Sequence, residues 1–164
     1  MWLATCFPVG LPRIRQPGEY RSAMISGRSA PVPALAVTGL VAHPTVIDEA
    51  TIRARAKPGD SAPDGTLVVS LGELLAQAEP AANASHVSAV SDDGLYSASI
   101  PLVEALSKGQ LIVGAGETLS RSAGGPFRLT VPGGSTLCWN VKSVGELRVT
   151  AGAEPDSVPE NPTH

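Results

Sequence analysis

Glycine and proline cut this chain into short pieces. Seventeen glycines and fifteen prolines among 164 residues leave room for strands and turns and little for the long helices of a bundle. Hydrophobic residues make up 43% and charged residues 16%, enough apolar matter for one globular domain with a real core. The expected class is α+β, mainly β.

The pieces can be placed in order. Residues 1–30 are polar and proline-containing without a clear period, and read as an extended N-terminal arm. The folded domain is expected over 31–153, and 154–164, "EPDSVPENPTH", has the composition of a disordered tail. Strands are expected at "ALAVTGLV" (34–41), at "TIRARAK" (51–57) from its alternation of apolar residues with Arg, and at "TLVV". Ser70 and Glu73 form an S-x-x-E capping box before a helix whose Leu71, Leu74, Leu75 and Ala78 share one face. "HVSAVSD" and "LYSAS" read as a strand pair around an Asp92-Asp93-Gly94 turn, and a second helix follows Pro101 and stops at Gly109. "QLIVG", "PFRLTVP" and "GELRVTAG" complete eight short strands and two helices.

Composition removes several functions. The net charge is -3 and the basic residues form no run, which argues against nucleic acid as a partner. Cys6 and Cys138 lie too far apart for a CxxC metal site and support no disulfide framework, so a reduced, cytoplasmic setting is expected. The first residues lack a basic stretch, and Pro8 and Pro12 interrupt their apolar run, so they are not read as a signal peptide. No stretch approaches the roughly 18 apolar residues of a membrane-spanning helix. The arm carries Trp2, Leu3 and Phe7, a route to a homo-oligomer. "GAGETL" misses the third glycine of a dinucleotide loop, no P-loop, serine-hydrolase or zincin motif occurs, and His43, His86 and His164 lack metal-ligand spacing.

Two cations remain. Arg128 lies inside the apolar run "PFRLTVP", where a guanidinium needs an anionic partner or several acceptors; a salt bridge at a strand edge is the alternative. Lys142 follows a Gly-Gly turn and the segment Trp139-Asn140-Val141. Glycine-rich turns let backbone N–H groups approach an oxyanion, and a nearby Lys supplies countercharge. Arg128 and Lys142 together are expected to line one glycine-walled pocket suited to a phosphate.

Taken in order, "LAVTGLVAHPTVI", "VSLGELLAQA", "HVSAVSDDGLYSASIPLVEAL", "LIVGAGETL", "GGPFRLTVPG" and "NVKSVGELRV" resemble the molybdopterin-binding domain of the sulfite oxidase family. The resemblance runs from about residue 34 to 150 and is most specific in Gly-Pro-x-Arg-Leu combined with x-Val-Lys-Ser. It implies an α+β fold with a β-grasp-like portion. It implies that Arg128, Asn140, Val141 and Lys142 contact the phosphate and pterin of a molybdenum cofactor, and that Tyr96 lies near the metal. Two departures stand out. Ala123 replaces a polar residue of the family, and the segment "DEATIRARAKPGDSAPDGTLVVSLGELL" holds no cysteine where the family places its molybdenum-ligating thiolate. The resemblance thus implies a pterin-binding, oxidoreductase-like protein with weak catalysis or none, and molybdenum deprived of its usual ligand. The alternative is a binding or structural module that kept the fold and lost the cofactor.

Overall fold

The structure is a computed structural model and describes residues 31–60 and 62–157. The N-terminal arm and its suggested role in oligomerisation lie outside the described residues, as does 158–164 of the tail. Two sheets carry the fold. The larger contains β1 (Ala34–Gly39), β2 (Thr45–Asp48), β4 (His86–Ser91), β5 (Ser97–Pro101) and β8 (Val144–Thr150), in the order β2-β1-β8-β4-β5. The smaller contains β3 (Thr66–Ser70), β6 (Gln110–Gly114) and β7 (Arg128–Thr130), in the order β3-β6-β7. Helices α1 (Glu49–Arg55), α2 (Leu71–Ala78) and α3 (Leu102–Lys108) and two 3-10 turns, Arg121–Ala123 and Leu137–Trp139, complete the described elements.

Register explains why these strands share a core. Within the larger sheet β1 and β8 run parallel and the other neighbours antiparallel. Val37 stands opposite Leu147, Leu147 opposite Ala89, and Ala89 opposite Ala98. All four side chains in that row are fully buried. A slip by one residue would turn the whole row to the other face of the sheet, so burial fixes the pairing. Leu71, Leu74, Leu75 and Ala78 of α2 close over the same core, as their spacing predicts. Gly39 lets the chain leave β1 across β8: its φ is +85°, and a Cβ there would collide with the Val149 carbonyl.

Three local expectations are corrected. "TIRARAK" is not a strand; residues Glu49–Arg55 form α1. Asp48 caps this helix by accepting the Thr51 N–H at 2.7 Å, Glu49 lies in its first turn, and Arg53 and Arg55 lie in its last. That charge order suits a helix dipole and outweighs the period-2 pattern. Glu49 is buried, paired with Arg53 and bonded by Thr118 Oγ1 at 2.6 Å, while Arg53 Nε donates to the Gly114 carbonyl at 2.8 Å. The eighth strand is instead β2, "TVID", whose edge position leaves Val46 exposed and its pattern weak. The second correction concerns the helix cap: α2 begins after Ser70, yet the Ser70 side chain makes no capping hydrogen bond. The third concerns residues 154–157, expected to be disordered. Asp156 Oδ1 and Ser157 Oγ accept the Ser99 and Ser97 N–H groups at 2.6 Å each, which satisfies the free edge of β5.

Candidate functional site

The two cations come together because two segments are laced side by side. The Leu129 N–H donates to the Val141 carbonyl at 2.8 Å, and the Val144 N–H donates to Phe127 at 2.9 Å. The Ser143 N–H and Oγ donate to the Gly124 and Gly125 carbonyls, both at 2.7 Å. Asn140 Oδ1 accepts the Val131 N–H at 3.2 Å. Fully buried Phe127, Leu129 and Val141 pin this double strand to the core. Alternate residues Arg128, Asn140 and Lys142 are thereby left outside it.

Gly124 is the point of closest approach. Its φ is +93°, and a Cβ built on it would lie 3.1 Å from Arg128 Cδ and 3.2 Å from Lys142 Cγ. The two aliphatic stems therefore flank one glycine. Their heads do not share one hollow, as the sequence suggested. Arg128 lines a cavity of about 310 Å³ with Thr130, Gly133, Gly134 and Leu137. Lys142 lines an adjoining one of about 390 Å³ with Tyr96, Ser91 and Arg121. Asn140 borders both and forms the partition, held there by its bond to Val131. Val141 lines neither; its side chain is in the core and its part is to position its neighbours.

Charge is unsatisfied at both cavities. Arg128 makes no ion pair among the described residues, and its Nε is buried without a hydrogen-bond partner. The salt-bridge alternative for Arg128 thus finds no partner among the described residues. Lys142 is exposed and likewise makes no ion pair there. Leu137 and Leu95, 86% and 78% exposed, give the first and second cavities apolar lips.

Tyr96 joins Lys142 and Asn140 in the second cavity. Its hydroxyl donates to the Cys138 carbonyl at 2.8 Å, and its N–H donates to Ser91 Oγ at 3.0 Å. Burial, then the nearby Cys138 and Asp156, push the phenol above its ordinary range, so it stays neutral. Sequence reasoning missed Arg121, which forks onto Asp92 at 3.1 and 2.7 Å beside this cavity. The two lie 29 residues apart, and no local pattern announces the pair. Asp93 serves the turn, as expected: its carboxylate takes the Ser91 hydroxyl and the Leu95 N–H, which hold it below the ordinary range.

An anion fits this arrangement: a buried guanidinium nitrogen without a partner among the described residues, an ammonium without an ion pair there and an amide stand around two neighbouring hollows. A molybdenum ion of the family kind does not fit equally. The resemblance implies one ligating thiolate; among the described residues the one cysteine is Cys138, and the segment from Asp48 to Leu75 holds none. No helix among the described residues is long and apolar enough to cross a membrane.

Comparison with known proteins bears on the family and the fold. No curated protein matches the chain. Among solved structures it is similar to the sulfane dehydrogenase SoxCD from Paracoccus pantotrophus, with a TM-score of 0.55 and 22% identity. That likeness covers 74% of this chain and 39% of the other, so the chain spans about two fifths of its length. It is a likeness of fold, mixed α and β with strands prevailing. The family model for the oxidoreductase molybdopterin binding domain matches residues 68–158, more than half of the chain and including every residue of the double strand. The chain belongs to the oxidoreductase molybdopterin binding domain family.

Proposed function

We propose that this chain binds the phosphate and pterin of a molybdopterin-type cofactor at the paired cavities and turns over weakly or not at all. The observation that carries the reading is the buried, unpartnered Nε of Arg128 beside the unpaired Lys142, both stems packed on Gly124. Arg128 and Lys142 would hold the phosphate, and the Asn140 amide would orient the group between the two hollows. The apolar lips at Leu95 and Leu137 suit the flat face of a pterin. Tyr96, with its neutral hydroxyl, stands where the reacting end would lie. Bound molybdenum supplies two-electron oxygen-atom transfer, and the protein contributes orientation and charge. The weak link is the metal, because the segment from Asp48 to Leu75 offers no thiolate.

A second reading is a module that kept the fold without the cofactor. One observation favours it: Arg121, the other cation at the second cavity, is already neutralised by Asp92. Purification from a host that makes the cofactor separates the two. We expect pterin fluorescence near one equivalent per chain with molybdenum well below one. Absence of both would favour the second reading, and molybdenum near one per chain would overturn the argument from the missing thiolate.

A further inference from the structure

We propose that the cavity at the start of α2 is a second anion site, taking a phosphate dianion either free or as the end group of a small ester. Its volume is about 460 Å³, larger than either cavity described above and within the range of small-molecule sites. Arg55, from the last turn of α1, and Lys57, just after it, line one wall; Lys108, from the last turn of α3, lines another. Against these three cations stand the carboxylates of Asp60 and Glu73.

The cations differ in what they already hold. Lys108 pairs with Glu104 at 2.8 Å. Arg55 makes no ion pair and no hydrogen bond among the described residues, and its Nη1 is buried without a partner. Lys57 has no ion pair there either. Its backbone is fixed all the same, exchanging hydrogen bonds of 2.8 and 2.7 Å with Val68 of β3. A fixed backbone places the ammonium at little cost in loop entropy.

Ser70 supplies the fourth element. It lines the cavity at the head of the eight-residue α2, and its hydroxyl leaves that helix uncapped. The Leu71 N–H is satisfied by the Gly109 carbonyl at 2.9 Å, but the next first-turn groups, on Gly72 and Glu73, have no side-chain cap. Of these two residues Glu73 lines the hollow with Ser70, so a phosphate there would meet the head of α2, the Ser70 hydroxyl and two cations that make no ion pair among the described residues. The family model matches residues 68–158, so Arg55 and Lys57 lie outside the matched region.

The test is an amide chemical-shift titration of the full chain with inorganic phosphate and, separately, glycerol phosphate. Saturable shifts are expected at Gly72 and Glu73. They should weaken at least about tenfold in Arg55→Gln/Lys57→Gln and persist unchanged in Lys142→Gln, which touches only the cofactor reading. Should the double variant fail to fold, Lys57→Gln alone, at an exposed side chain, should still weaken the shifts by about threefold. Tighter binding of inorganic phosphate would identify the free ion, and tighter binding of the ester a phosphorylated small molecule. No saturable shift at Gly72 and Glu73 with either probe, or shifts undiminished in the variants, would overturn the proposal.

Discussion

At the scale of single residues, Gly124 decides whether two cations can share a neighbourhood. Its left-handed backbone costs an L-residue roughly 1–2 kcal/mol, and any Cβ would press on both stems at once. Gly124→Ala should therefore destabilise the protein by about that amount in urea unfolding and lower pterin retention as well. A variant that kept both would show that the stems do not depend on this glycine. Arg128, Lys142 and the Gly-Gly pair were legible in the sequence because cations inside apolar or glycine-rich runs are costly without a purpose. The partition by Asn140 was not, since it rests on one bond to Val131 across nine positions. Nor was Arg121, whose partner Asp92 belongs to a turn far away in the chain.

At the scale of elements, pattern served well where burial followed it and failed where charge set the conformation. The face of α2 read directly from Leu71, Leu74, Leu75 and Ala78 because all four enter the core. In α1 only Glu49 and Ile52 are buried, so hydrophobic spacing said little, and the Asp48 cap with its acidic start and basic end was the better signal. Ser70 shows the converse, a capping motif whose serine does not cap. Ser70→Ala should leave stability within about 0.5 kcal/mol of wild type in chemical denaturation. A working cap would cost about 0.5–2 kcal/mol when removed, so a loss above about 1 kcal/mol would contradict the geometry at the head of α2.

At the scale of the whole molecule, one charged knot ties the ends of the domain to its central strand. Glu146 on β8 accepts the Thr38 hydroxyl of β1 at 2.6 Å and pairs with Arg148 at 2.9 Å; Arg148 also reaches Glu154 at 3.7 Å. The Arg148 contact comes first among the causes that hold the Glu146 carboxyl below its ordinary value of 4.5. A depressed acid stabilises the fold above the ordinary value and loses that contribution as pH falls through the folded one. Thermal stability should drop on acidification below about 4.5, and less steeply in Glu146→Gln; parallel curves would exclude Glu146 as a source. The central claim concerns the double strand, where Arg128 and Lys142 would grip a pterin phosphate. Charge-assisted contacts contribute about 1.5–3 kcal/mol each, or roughly tenfold in affinity or more. The direct measurement is the pterin carried by wild type and by Arg128→Gln/Lys142→Gln after purification from the same cofactor-making host. Near one equivalent in the wild type and a loss of about tenfold or more in the double variant are predicted. Equal pterin in the two proteins, or none in the wild type, would contradict the account.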